Sequence, residues 1–146
     1  MHAHRLPVLF DNLRRQGSDL VETAQADWTQ PCPPCWKGYF DAVLLDVPCS
    51  NTGVIQRRVD VRWRLTPKEI SRLADIQFLI LEQAAASVKA GGRLVYSTCS
   101  IDREEDRDVI DRFLAVHPDF TFQKEQLALP FREMSDGAYA ALIIRA

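Results

Sequence analysis

Apolar residues recur at two different periods along this chain, and the changes of period divide it into elements. Over residues 4–16 ("HRLPVLFDNLRRQ"), Leu6, Leu9, Phe10 and Leu13 stand at helical spacing, and Gly17 is placed to end the helix. "DLVETAQAD" (19–27) alternates weakly through Leu20, Val21 and Ala24 and predicts a short strand. "TQPCPPCWKG" (29–38) holds three prolines and a glycine and reads as a loop. "FDAVLLDV" (40–47) is a nearly unbroken apolar run, the pattern of a buried parallel strand. Residues 49–65 show no period and are rich in arginine.

A helix start follows in "TPKE" (66–69): Thr66 is the N-cap, Pro67 the first helical residue, and Glu69 completes a capping box. The spacing predicts a helix to about Ala90, with Ile70, Leu73, Gln77, Ile80, Leu81, Ala84 and Val88 on one face and Gly91 and Gly92 as its stop. "RLVYSTCS" (93–100) is the next buried strand. Asp102 and Glu105 predict a second capping box, and Val109, Ile110, Phe113 and Leu114 then face the core until His117-Pro118. "FTFQKEQ" (120–126) and "YAALIIRA" (139–146) read as two further strands. Strands alternating with helices imply an α/β sheet with right-handed crossovers.

With 146 residues, 47% of them hydrophobic and 26% charged, the chain has the size and balance of a single domain, residues 1–146. A net charge of -2 gives no support to non-specific nucleic-acid binding but leaves room for a local basic patch. No apolar run approaches the roughly 18 residues of a membrane span. "MHAHRLPVLFDN" has no signal-peptide pattern, so the four cysteines are expected in a reducing cytoplasm.

In an open α/β sheet, ligands bind beyond the carboxyl ends of the strands. Asp46, Cys49 and Ser50 leave the end of one strand in "LLDVPCSNTGV", and Ser97, Thr98 and Cys99 leave the end of the next. If the strands are neighbours, two thiols and a carboxylate converge on one crevice. A single free cysteine is more often a small core residue. Two at corresponding strand ends, one behind Asp-x-Pro, favour a site. Arg57, Arg58, Arg62, Arg64 and Lys68 form the most basic window in the chain. RNA phosphates are the better reading for them. Trp63 among them either stacks on an unpaired base or anchors the loop in the core, the second being slightly favoured. "CPPC" (Cys32, Cys35) has the spacing of a redox pair or half a zinc site, but no second pair completes a tetrahedral set, so no metal is expected. His2, His4 and His117 form no pairing pattern.

"DVPCSNTGV", "RRVDVRWRL", "YSTCSIDREE" and "SDGAYAALI" resemble the tRNA and rRNA cytosine-C5 methyltransferases that use S-adenosylmethionine, over about residues 4–146. The resemblance implies a Rossmann-like class I methyltransferase sheet and formation of 5-methylcytosine in RNA. It implies that Cys99 is the nucleophile that adds to carbon 6 of cytosine, because carbon 5 is a poor nucleophile until the ring has been made enamine-like. Cys49 would help remove the carbon-5 proton and release the product, and Asp46 would hold the base by its ring nitrogen and amine. A thiolate among several arginines would have a lowered pKa. Asp27 resembles the acid that receives the cofactor's adenine amine, although a loop or cap aspartate is nearly as good a reading; Asp46 and Pro48 would also border the cofactor. The competing assignment is a methyltransferase acting on DNA, in which Cys49 of the Pro-Cys motif would be the nucleophile.

The departure from the family lies at the front. Only Gly17 and Gly38 precede Asp46, so no Gly-rich turn is present before it to approach the methionine part of the cofactor, and no second strand ends in an acid for the ribose. The expectation is a sheet truncated at its amino terminus, without its first two strands. Its strand 40–47 would have a bare edge that residues 19–26 fill or that a second copy covers as a homodimer. Such a chain would bind cofactor weakly or not at all, which leaves a non-catalytic RNA-binding remnant as an alternative.

Overall fold

A computed structural model describes residues 5–18 and 20–146. Four strands form one mixed sheet: β1 (Phe40–Asp46), β2 (Val88–Thr98), β3 (Phe120–Ala128) and β4 (Ala138–Arg145), in the order β1-β2-β4-β3. β1 runs parallel to β2, with Leu44 opposite Val95 and Asp46 opposite Ser97, whereas β4 is antiparallel to both β2 and β3. The crossover between β1 and β2 is α3 (Pro67–Ala85), preceded by a single turn, α2 (Val61–Arg64). α4 (Arg107–Val116) joins β2 to β3, and a second single turn, α5 (Pro130–Glu133), joins β3 to β4. The core gathers on one face of the sheet, where Leu81 and Ala84 of α3 and Ile110 and Phe113 of α4 pack on Leu94, Tyr96 and Ile143. No described helix is long and apolar enough to cross a membrane.

α1 (Leu6–Arg15) ends as expected at Gly17, whose φ of 64° suits the left-handed position past the helix. Ser18 N donates to Leu13 O at 2.9 Å, and Gly17 N to Arg14 O at 3.1 Å. Thr66 caps α3, its hydroxyl accepting from Glu69 N at 3.2 Å. Glu69 does not complete the box; its carboxylate turns to Arg72 at 2.6 Å.

Four further expectations need correction. Residues 20–27 form no strand, and do not fill the edge of β1; Asp19 lies outside the described residues. Leu20 is 99% exposed, so its weak alternation has no apolar face to bury. α3 stops at Ala85 rather than Ala90, because Ser87 folds back onto Ala84 O through both its N–H and its hydroxyl. Val88, Gly91 and Gly92 then belong to β2, where the register with β1 slips between Phe40 and Ala42. A Cβ at Gly92 would meet Val88 Cγ1 at 2.7 Å and Lys89 O at 2.8 Å, so the glycines serve this bulge and not a helix stop.

Asp102 and Glu105 do not cap α4, which begins later, at Arg107; their carboxylates are used elsewhere. β1 is parallel but not buried: Leu45 is its one buried residue, and Leu44 is 71% exposed. The sheet is mixed, since the chain reaches β4 by a return from β3.

Candidate active site

The carboxyl ends of β1 and β2 lie side by side because the two strands are parallel neighbours. The chain leaving β1 is held to β2 by Val47 N donating to Ser97 O at 3.1 Å. Each strand end then turns into a Cys-Ser pair, and the two sulfurs meet: Cys49 Sγ and Cys99 Sγ are 3.0 Å apart. Both thiols are half-buried and unoxidised.

The turn after Cys49 is fixed by backbone and buried side chains. Gly53 N donates to Cys99 O at 3.0 Å, and Gly137 N donates to Gly53 O at 2.8 Å. A Cβ at Gly53 would collide with the Gly137 carbonyl and lie 2.8 Å from Cys99 O, so only glycine permits this approach. Behind the thiols, one fully buried carboxylate joins both loops. Glu105 Oε1 accepts from Ser50 N and from Gln77 Nε2, each at 2.9 Å, and Glu105 Oε2 accepts from Ser100 Oγ at 2.9 Å. Gln77 also donates to Pro48 O at 2.9 Å, and Thr52 Oγ1 donates to Asp102 Oδ2 at 2.7 Å. Thr98 Oγ1 donates to Asp106 Oδ1 at 2.6 Å. Burial and the neighbouring Glu105 and Asp102 push the Asp106 carboxyl up to about 7, the Thr98 bond opposing them.

Asn51, between Cys49 and this turn, has a φ of 68°. Its Nδ2 donates to Cys49 O at 2.9 Å, and Cys99 Sγ donates to its Oδ1 at 3.1 Å. The expected lowering of thiol pKa by arginines is not found at Cys49. Burial first, and then the hydrogen bond with Cys99, push that thiol up to about 12.

Two cavities flank the segment Asp46–Cys49. One, of about 440 Å³, is lined by Cys49, Ser50, Asn51, Arg64, Thr66 and Glu69 among others. The other, of about 350 Å³, is lined by Asp27, Asp46 and Pro48 with Trp28, Val47 and Ile80. The three candidate cofactor residues thus share one wall, and Asp46 stands with them rather than on the cavity of Cys49. Asp27 is exposed, and its Oδ1 accepts from Thr29 N at 3.0 Å and Thr29 Oγ1 at 2.7 Å, which hold its carboxyl below the usual range.

The basic window is exposed at Arg57, Arg58, Arg62, Arg64 and Lys68. Arg57 pairs with Asp136 at 2.9 Å and Arg64 with Asp60 at 3.1 Å, whereas Arg58 and Arg62 form no ion pair among the described residues. Trp63 is 89% exposed, which removes its reading as a core anchor. Cys32 is buried and Cys35 exposed, and no described group of three metal-ligating side chains is close enough to hold an ion. His117 stacks on Phe113 at 4.3 Å; His2 and His4 lie outside the described residues.

Sequence reasoning missed Glu105 and Asn51. The repeated Cys-Ser was the available signal for the first, since each serine ends on the same carboxylate. Asparagine in a polar turn, where left-handed backbone is tolerated, was the signal for the second.

The mixed α/β sheet with its helices matches the fold of Sun-family methyltransferase structures. The crystal structure of PH0851 is 34% identical with a TM-score of 0.90, covering 97% of this chain and 35% of that one. That of NSun6 from Pyrococcus horikoshii with SFG is 25% identical with a TM-score of 0.85, covering 99% of this chain and 39% of that one. The chain belongs to the family described as "16S rRNA methyltransferase RsmB/F", whose profile matches residues 1–142. Ribosomal RNA small subunit methyltransferase B of Salmonella paratyphi B is 40% identical over 148 residues, or 97% of this chain and 34% of the relative. The chain therefore spans about a third of the length of the curated relatives it matches.

Proposed function

We propose that this chain is the dithiol portion of an RNA methyltransferase domain that forms 5-methylcytosine in rRNA or tRNA. The observation that carries the reading is the 3.0 Å approach of Cys49 and Cys99 at two parallel strand ends, beside a cavity that Cys49 lines together with Arg64 of the basic window. Cys99 acts as thiolate and bonds to carbon 6 of an unstacked cytosine, its electron pair moving through the ring to carbon 5. Carbon 5 then takes the methyl group, for which S-adenosylmethionine supplies an electrophilic sulfonium. The carbon-5 proton leaves to water, or to Cys49 once that thiol has passed its own proton to water, and the Cys99–carbon 6 bond breaks as the double bond re-forms. A thiol held up to about 12 stays protonated at neutral pH, which makes Cys49 the poorer candidate for attack. Asp46, which lines the cavity shared with Asp27 and Pro48, holds the cytosine edge. Arg58 and Arg62 take RNA phosphates, and exposed Trp63 stacks on a base.

S-adenosylmethionine fits these residues in part. Asp27, Asp46 and Pro48 line one cavity with apolar walls from Trp28, Val47 and Ile80, which suits an adenine ring and its amine. Among the described residues, no Gly-rich turn lies there for the methionine part. The solved relative with SFG, an analogue of S-adenosylmethionine, supports the choice of cofactor. The 146-residue chain alone is expected to give no measurable heat on calorimetric titration with S-adenosylmethionine, and a micromolar dissociation constant would refute this.

The nucleophile is tested in a chimera in which residues 1–142 replace the matched third of the Salmonella relative. Incubated with RNA containing 5-fluorocytosine, it is expected to become attached through Cys99; attachment through Cys49 would support the order used on DNA. The exposed patch of Arg58, Arg62 and Trp63 favours one second reading, a non-catalytic RNA-binding remnant. RNA binding by this chain together with a chimera that traps nothing would select it. Two copies pairing along β1 would cover that strand's free edge, and a monomer by equilibrium sedimentation rules this out.

A further inference from the structure

Asn51 lies between the two cysteines in space, and no step above uses it. Its φ of 68° is in the left-handed region, where asparagine is among the few side chains tolerated. The Cys49 carbonyl can only accept a hydrogen bond, so the amide nitrogen must face it, as it does at 2.9 Å. That choice turns the amide oxygen toward Cys99, whose Sγ donates to it at 3.1 Å. An oxygen acceptor stabilises S–H and opposes S⁻. The backbone turn, the Cys49 carbonyl and the Cys99 thiol are therefore linked through one side chain.

We propose that Asn51 is a positioning residue for Cys99: it fixes the direction of the sulfur and keeps it a thiol until a base enters the crevice. The proposal rests on the methyltransferase reading for the identity of the nucleophile, but its geometry does not. Other titratable groups around the pair are Tyr96, which interacts electrostatically with Cys49, the carboxylates of Asp102 and Glu105 on Ser100 and of Asp106 on Thr98, and Arg64 and Glu69 on the cavity of Cys49. None of them is substituted in the test, and Asp106, which loses its proton near pH 7, does so in the original chain and in both variants alike.

Iodoacetamide alkylation of Cys99 is followed by peptide mapping on the intact 146-residue chain, from about pH 6 to about pH 10, a span that brackets an ordinary thiol. Exposed Cys35 in the same digest is the reference. Asn51→Gly keeps the left-handed backbone and removes the amide. Its Cys99 profile is expected to move down by about half a pH unit, roughly threefold in thiolate at neutral pH, with Cys35 unchanged. Asn51→Asp keeps size and acceptor and adds negative charge, and its profile is expected to move up. A loosened loop would raise the plateau rate and leave the midpoint in place. That result, or midpoints of both variants superimposed on the original, overturns the proposal. If Asn51→Gly melts below the assay temperature, the Asp variant alone decides: a midpoint unchanged or lowered overturns it. Neither RNA nor cofactor enters the assay, so failure here leaves methyl transfer untouched, and failure of RNA trapping leaves this result standing.

Discussion

At the carboxyl end of β1, the chain is tied by its neighbours at almost every residue. Val47 bonds to β2, Pro48 to α3, Ser50 to Glu105 and Gly53 to Cys99. On the same strand Leu44 stands 71% exposed, and the edge of β1 away from β2 has no partner among the described strands. The same run of apolar residues thus ends in a closed polar network and begins in an open edge. The network depends on groups brought from residues 77, 100 and 105, while the edge depends on whatever strand is laid beside it.

That contrast is broken most strongly at Glu105. Replacing it with alanine leaves the Ser50 amide, the Gln77 amide and the Ser100 hydroxyl without their shared acceptor. A loss of about 3–5 kcal/mol is expected in urea unfolding, and a loss below about 1 kcal/mol would show that the carboxylate does not hold the loops. A smaller effect comes from Asp106. Its carboxyl is raised from the ordinary 3.8 to about 7, so the native state holds a proton that the unfolded chain releases. This contribution is fully present below pH 3.8 and is lost as pH rises to about 7. Thermal melts should show Asp106→Asn flattening that decline, since asparagine still accepts from Thr98 but cannot ionise. The smallest effect is expected on the open side. Leu44→Lys should change stability by less than about 0.5 kcal/mol while reducing self-association in sedimentation; a large destabilisation would mean that Leu44 is packed within this chain.

What was legible in the sequence was mostly local. Thr66 as a cap, Gly17 as a stop, and the faces of α3 and α4 all follow from spacings of three or four residues. The meeting of Cys49 and Cys99 was legible too, because one rule about strand ends applies to both motifs. The same local reading misled at Glu105. Its spacing from Asp102 fits a capping box, but its carboxylate serves partners 28 and 55 residues away, which no local period records. Residues 20–27 failed for a related reason: a weak alternation makes a strand only where another strand accepts it. Trp63 was misread because an aromatic among arginines looks the same in sequence whether buried or exposed.

The order of the sheet has a further consequence, for assembly. β4 lies between β2 and β3, and Gly137, at its start, closes the turn on Gly53. β3 has no other partner among the described strands, so residues 120–128 wait unpaired until residues 138–145 arrive. These pairings, together with the contacts of residues 49–53 with 99–105, span long stretches of chain, and such contacts form late. During synthesis both cysteines are therefore made well before residue 137 arrives to close the turn beside them on Gly53.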